Sequence, residues 1–287
     1  MAKVTKIFYL CSMESKITFL GTGTSQGVPM IGCNCHVCKS TDSKDKRLRS
    51  SALIEHNGFK IIIDCGPDFR QQMLREEIAN ADAVLLTHQH KDHTGGLDDI
   101  RAFNYFRQAA FPIYAEERVQ QSLKMEYSYA FADFKYPGVP EYELKTIDEN
   151  PFEITKTLPD GLTASITITP IRLYHYKLPI LGFRIGDIAY LTDGSSIPDQ
   201  EFGKLENLEI FVINTIRHAK HISHFSLAEA LQVIERVSAK RNYLTHLSHQ
   251  IGTHQELSKE LLNYNSTQGQ PLNVQPAYDG LSISLFK

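Results

Sequence analysis

The sequence predicts an α/β (α+β) protein in which two mixed β-sheets pack together and helices cover their outer faces. Three observations lead there. Short apolar runs suited to strands recur along most of the chain. Capped amphipathic stretches interrupt them, in the order strands, helix, strands, helix. No Pro/Gly/Ser-rich linker, low-complexity segment or short-period repeat divides the 287 residues, so 16–287 read as a single domain.

Ile17, Phe19 and Leu20 mark a first strand beginning near Lys16 and ending in Gly21-Thr22-Gly23-Thr24. Ala52 to His56 and Phe59 to Asp64 are apolar runs joined by Asn57-Gly58, a strong hairpin signal. Ala83 to Leu86 is continuously apolar, as a strand covered on both faces would be, and runs straight into Thr87-His88-Gln89-His90. Leu97, Ile100 and Phe103 recur at helical spacing. Residues 104–150 are mixed and aromatic-rich; a strand near Phe111–Tyr114 and a helix near Glu117–Met125 are expected within them. Ala164 to Leu173 is rich in β-formers, and Gly182–Ile185 and Ile188–Thr192 form a hairpin across Gly186-Asp187. Glu209 to Asn214 and Arg241 to Thr245 read as strands. Ser226 with Glu229, and Thr253 with Glu256, are capping boxes that open two helices. Asp279-Gly280 lies between closing strands.

Composition narrows the function classes. Thirty Lys+Arg against 33 Asp+Glu leave a formal charge of −3, and the hydrophobic and charged shares of 42% and 22% are those of a soluble globular chain. No run approaches the roughly 18 apolar residues of a membrane span, so no membrane partner is expected. The near-neutral balance argues against a broad basic surface for nucleic acid. The stretch Ile7–Cys11 behind Lys3 and Lys6 resembles a signal sequence only faintly, being too short and lacking a cleavage site. Residues 1–15 are expected to be an N-terminal extension.

The five cysteines are Cys11, Cys33, Cys35, Cys38 and Cys65, three of them within six residues. An odd, crowded set makes a poor disulfide framework and a good metal site. Metal binding needs reduced thiols, hence a cytoplasmic setting. The twelve histidines cluster as His88, His90 and His93; His218, His221 and His224; and His246, His249 and His254. Imidazole is the commonest metal ligand near neutral pH.

His88-Gln89-His90-Lys91-Asp92-His93 reads H-x-H-x-D-H directly after an apolar strand. A loop at a strand end can turn several side chains towards one point, and imidazole with carboxylate suits zinc, manganese or iron. With Gly95 and Gly96, Thr87 through Gly96 resembles the T-H-x-H-x-D-H-x-G-G pattern of the metallo-β-lactamase superfamily at every specified position. The resemblance continues in order through His175, Asp193 and His246, which alone would read as two half-buried histidines and a turn aspartate. It implies a four-layer αββα sandwich. It also implies two divalent ions, zinc or manganese with iron also compatible. His88, His90 and His175 would hold one, Asp92, His93 and His246 the other, and Asp193 would bridge them, with a shared hydroxide as nucleophile.

Within that superfamily, C-x-C-x-x-C near the N-terminus resembles the PhnP branch of phosphodiesterases. The resemblance implies a structural zinc held by Cys33, Cys35, Cys38 and His249, a closed tetrahedral site; His36, inside the same loop, competes as fourth ligand. Cys11 and Cys65 read as non-ligating. His224, just before a capped helix, matches an extra active-site histidine, so Asp92 and His224 are the candidates for direct catalytic roles, His224 as proton donor or phosphoryl contact. His221 and His218 are weaker candidates. Asp64 and Asp68 are expected to fix the turn beneath the site.

The function this implies is a dinuclear-metal phosphodiesterase for small phosphate diesters, cyclic ones included. Homodimerisation is implied by the resemblance alone. The alternatives are a tRNA 3′-end endonuclease of the RNase Z type and a non-catalytic accessory protein of the PqqB type. The first needs a basic protruding arm, whereas 104–150 holds Lys124, Lys135 and Lys145 among eight acidic residues. The second resembles an enzyme with a decayed ligand set, whereas all seven expected ligands are present here.

Overall fold

A computed structural model describes residues 15–267 and 272–285. Most of the expected extension over 1–15, with Cys11, lies outside the described residues. Ser15 does not belong to it, because it pairs with Leu285 as the first residue of a strand.

The strands are β1 (Ser15–Gly21), β2 (Ser51–His56), β3 (Phe59–Ile63), β4 (Ala83–Leu85), β5 (Phe111–Ala115), β6 (Tyr142–Thr146) and β7 (Phe152–Thr157). They continue with β8 (Thr163–His175), β9 (Leu178–Ile185), β10 (Ile188–Tyr190), β11 (Ile210–Asn214), β12 (Arg241–Thr245), β13 (Val274–Pro276) and β14 (Ser282–Leu285). The helices are α1 (His36–Lys39), α2 (Phe69–Arg75), α3 (Lys91–Thr94), α4 (Arg101–Arg107), α5 (Glu117–Glu126), α6 (Ser128–Phe131), α7 (Leu227–Val237) and α8 (His254–Thr267).

One sheet has the order β14-β1-β2-β3-β4-β5-β6 and the other β13-β12-β11-β10-β9-β8-β7. Both are mixed and follow one plan. From β14 to β3, and from β7 to β10, neighbours are antiparallel. From β3 to β6, and from β10 to β13, they are parallel. The strand at each switch, β3 or β10, leads to an aspartate in the left-handed region, Asp64 at φ 62° and Asp193 at φ 59°.

Side-chain alternation sets the layers. Along β3, Phe59, Ile61 and Ile63 enter the core between the sheets, while Ile62 points outward beneath the helices. Along β11, Ile210 and Val212 face inward and Phe211 and Ile213 outward. Both faces are covered, so both are apolar and the strands read as unbroken hydrophobic runs. Phe69 and Met73 of α2, Phe103 of α4 and Val119 and Leu123 of α5 seal the first sheet. Leu227, Leu231 and Ile234 of α7, with Leu257 and Leu261 of α8, seal the second. The result is the expected αββα sandwich. Ser226 and Glu229 close their capping box at α7, and Thr253 and Glu256 exchange hydrogen bonds at the start of α8.

Three sequence expectations shift. Edge strands β6 and β7 fall in or beside the unassigned 104–150 region; β6 alternates Tyr142 and Leu144 with Glu143 and Lys145, and β7 carries Glu153 and Lys156, charges of the kind that edges bear. Helix α2 begins directly behind Gly66-Pro67, in a stretch not singled out as helical. The strand expected over Ile188–Thr192 stops at Tyr190, where the chain turns towards Asp193. The strands expected on either side of Asp279-Gly280 are present and close opposite sheets. Between them Asp279 is a buried staple, accepting from Thr22 N (2.9 Å), Thr22 Oγ1 (2.7 Å) and Leu48 N (2.8 Å).

Candidate metal centres

The shared direction of β8, β10 and β12 within their sheet gathers the polar residues at one end. His88 to His93 follow β4, His175 is the last residue of β8, Asp193 follows β10, and His246 follows β12. The loop after β4 packs so closely on its neighbour that two positions have no room for a side chain. A Cβ on Gly96 would lie 2.0 Å from Gly66 O, and one on Gly66 2.1 Å from Asp92 O. The Gly95-Gly96 ending of the motif is therefore a packing requirement of the ligand loop.

Asp193 stands at the centre. Its Oδ1 lies 3.3 Å from His93 Nε2 and 3.0 Å from His246 Nδ1, while Oδ2 lies 4.0 Å from His88 Nε2. Asp92 Oδ2 is 3.2 Å from His93 Nε2. On the other side, His88 Nε2 faces His90 Nδ1 at 3.0 Å, and the His90 and His175 rings are 5.1 Å apart. All seven residues expected at the catalytic centre thus meet in one place. The carboxylate of Asp193 turns one oxygen to each half of the cluster.

Outer contacts aim these rings. His93 Nδ1 is 2.6 Å from Asp64 Oδ2, which leaves Nε2 facing the cluster. Asp64 also accepts from Thr87 N (2.9 Å) and Thr87 Oγ1. His88 Nδ1 contacts Thr87 Oγ1 at 2.9 Å, and His175 Nδ1 contacts the Asp193 carbonyl at 2.8 Å. A second partner holding the far nitrogen is the usual arrangement behind a metal-ligating histidine.

The donor set fits a cation. His93 Nε2 is fully buried and has no hydrogen-bond partner despite two carboxylate oxygens within 3.3 Å. The ligand atoms of His88, His93 and Asp193, and those of Asp92, Asp193 and His246, lie within 4.8 Å of one another. Electrostatics agrees. Burial disfavours charge on His93, but Asp193, Asp64 and Asp92 outweigh it and hold its pKa well above the ordinary range. Burial pushes His88 and His246 down. Burial opposes ionisation of Asp193, yet His246 and His93 keep it well below the usual carboxylate range. A buried carboxylate ringed by imidazoles of conflicting preference is what positive charge at the centre would relieve.

His224 closes one wall, its ring 4.7 Å from His175 and 4.8 Å from His246. Its Nδ1 is buried without a partner, and burial, then His246, lower its pKa to about 3. It is therefore a neutral hydrogen-bonding group. His221 follows at 5.1 Å on the outer side. His218 turns away to Glu260 at 2.9 Å.

A second cluster joins the N-terminal loop to the loop after β12. Sγ of Cys33 and of Cys35 lie 3.3 and 3.4 Å from His249 Nδ1, and Cys38 completes a group of four ligand atoms within 4.8 Å of one another. Zinc–sulfur and zinc–nitrogen bonds of about 2.3 and 2.0–2.1 Å at a tetrahedral angle put such atoms about 3.6 Å apart, so the spacing fits. Backbone amides of Cys38 and Met30 point at Cys35 and Cys38 sulfurs. The Cys38 amide, then His249, bring the Cys35 thiol down to about 6, while burial raises Cys38 to about 11. His36, the competing fourth ligand, points instead to Glu256 at 3.1 Å and is largely exposed. Cys65 is buried in the helix-covered face of the first sheet, and its thiol belongs to neither group.

Sequence reasoning gave Asp64 a turn role and missed that it grips His93. The shared pattern of an apolar run ending in aspartate before Gly66 and Gly194 could have flagged it. Asp68 does hold the turn, through Arg49 N and the Arg49 guanidinium. Replacing Asp64 with asparagine is expected to weaken divalent-metal affinity by about 10–100-fold, as read by calorimetric titration of the apo protein. Affinity within threefold of wild type would show that His93 needs no such hold.

Comparison with known proteins agrees with this fold. Residues 60–247, well over half the chain, match the family described as "Beta-lactamase superfamily domain". The chain belongs to the β-lactamase superfamily. A solved structure described as a new diphosphatase from the PhnP family shares 36% identity, covers 95% of this chain and 98% of its own, and superposes with a TM-score of 0.80. The chain is also 42% identical over 265 residues to a protein of Porphyromonas gingivalis (strain ATCC BAA-308 / W83) named octanoyltransferase. That match covers 91% of this chain but spans only half the length of the relative. A ribonuclease Z of Halalkalibacterium halodurans is 25% identical, with 85% of this chain and 90% of the relative covered. The relatives of this chain thus carry several different names. Among the described residues no helix is long and apolar enough to cross a membrane.

Proposed function

We propose that this protein is a metal-dependent phosphodiesterase acting on small phosphate diesters. The observation that carries the reading is Asp193, whose two oxygens face separate histidine groups while His93 Nε2 stays buried and unpartnered. His88, His90 and His175 would hold one divalent ion, Asp92, His93 and His246 a second, and Asp193 both. Cys33, Cys35, Cys38 and His249 would hold a zinc with no open position. When bound, a cation pair supplies an activated water and neutralises charge on a phosphoryl group. The chain's own residues orient and shield. Asp64, Thr87 and the Asp193 carbonyl fix three imidazoles, Asp92 adds a carboxylate beside His93, and neutral His224 presents a hydrogen bond to the oxygen of the leaving group.

A small substrate is favoured over tRNA by the course of 104–150. Phe111, Ile113, Ala115, Val119, Leu123, Tyr127 and Ala130 anchor the 111–130 part of this segment on the first sheet, so that part packs on the fold rather than protruding as an arm, and the exposed stretch is the short 132–138. The diphosphatase relative favours a second reading, a substrate whose scissile bond is a phosphoric anhydride.

The test is a substrate panel of cyclic ribose phosphates, cyclic nucleotides, linear diesters, diphosphate diesters and a precursor tRNA, each with zinc and with manganese. Metal-dependent turnover of small diesters with no tRNA cleavage is expected. Turnover confined to anhydrides would establish the second reading, and cleavage of the tRNA alone would overturn both.

A further inference from the structure

We infer that Arg47 couples the thiolate cluster to the histidine–aspartate centre, so that a filled thiolate site raises metal affinity at the centre. The inference rests on the metal reading above. Arg47 is a positioning residue, touching neither candidate ion nor substrate. It is 1% exposed and among the largest fully buried side chains. A guanidinium so placed is costly unless its donors are met. Nη1 donates to Ser248 O (3.0 Å) and Nη2 to Gly252 O (2.9 Å), with Asp45 Oδ1 at 3.3 Å, while Nε has no partner. Ser248 lies between His246 of one centre and His249 of the other. Its carbonyl belongs to the peptide plane that leads into His249, so a single buried cation sets the course of the loop that serves both.

The same residues reach the cysteine loop. Asp45 accepts from Ser40 Oγ, just beyond Cys38, at 2.6 Å and from His254 N, at the start of α8, at 2.6 Å. The backbone of Arg47 pairs in both directions with Val28, which packs against Val37 and Cys38. On the other side, Leu247 N donates to Thr22 O (2.7 Å), and Ser50 Oγ bonds Gly23 O (2.9 Å) while contacting His246 Nδ1 (3.1 Å). Cysteine loop, Asp45–Arg47 and the 246–252 loop therefore form one connected stack.

Order supplies the direction of the coupling. A filled thiolate site ties Cys33, Cys35 and Cys38 to His249 and so holds the Ser248–His249 peptide where Arg47 bonds it, which in turn favours the loop that presents His246. Coupling of this kind is reciprocal.

The experiment titrates Mn2+, a hard ion poorly matched to thiolates, into four full-length proteins. These are wild type, Cys35→Ser, Arg47→Lys and the double variant, with free Mn2+ read by electron paramagnetic resonance. Arg184→Met, whose guanidinium bonds Gly186 O, Lys204 O and Glu206 O instead, controls for general loss of packing. Cys35→Ser is expected to weaken Mn2+ binding about tenfold. In the Arg47→Lys background it should add less than threefold, and Arg184→Met should leave affinity unchanged. Unaltered Mn2+ affinity in Cys35→Ser, or effects that multiply in the double variant, would overturn the coupling alone. If Arg47→Lys fails to fold, Cys35→Ser against wild type still decides whether the sites communicate. Wild type that binds no divalent ion at either cluster would overturn the metal reading itself.

Discussion

Replacing Asp193 with alanine is expected to lower kcat/KM for bis-p-nitrophenyl phosphate by about a thousandfold or more, roughly 4 kcal/mol of transition-state stabilisation. Loss of a partner behind a metal ligand already costs 10–100-fold. Asp193 faces both halves of the centre, so its loss removes a ligand from each at once. His88→Ala should act in the same direction through one half. A second readout separates this from misfolding. Added Mn2+ or Zn2+ should raise the Tm of the wild type by mass action and leave that of Asp193→Ala almost unmoved. Asp193 is a buried carboxylate, so its removal without metal present also takes away a desolvated charge, and the apo variant should remain folded. Undiminished turnover in both Asp193→Ala and His88→Ala would refute the centre.

Cys35→Ala is expected to lose one zinc per chain and about 3–5 kcal/mol of stability, a part of the binding free energy that structural zinc sites contribute. At this chain length that corresponds to a fall in Tm of about 5–8 °C. The cluster joins residues 33–38 to residue 249, more than two hundred positions apart. Without it, the N-terminal loop keeps the Asp45–Arg47 stack, the exposed His36–Glu256 contact and a small apolar contact around Val28 and Val37. Turnover at saturating Mn2+ should survive in the folded fraction, because no catalytic-centre residue is removed. Elemental analysis showing unchanged zinc, with an unchanged Tm, would show that the thiols hold no ion.

Much of this arrangement could be read from residues near one another in sequence. The strands of both sheets announced themselves as apolar runs because both faces of each sheet are covered. The edges β6 and β7 did not, since a half-solvated strand of Glu, Lys and Thr resembles a loop. Likewise His88 to His93 declare metal chemistry within six positions. Asp64 does not, because its partner His93 lies 29 residues on and meets it only when β3 and β4 pair.

The sequence by itself therefore determined the fold class and the chemical types at the centre. These depend on periodicity and on a compact motif, both properties of short stretches. Only the tertiary structure decided that Asp193 turns an oxygen to each half, that His249 rather than His36 joins the cysteines, and that Arg47 braces the loop between them. Those outcomes hang on contacts across 18 to more than 200 residues, set by how the two sheets bring their strand ends together, and no local pattern encodes that registry.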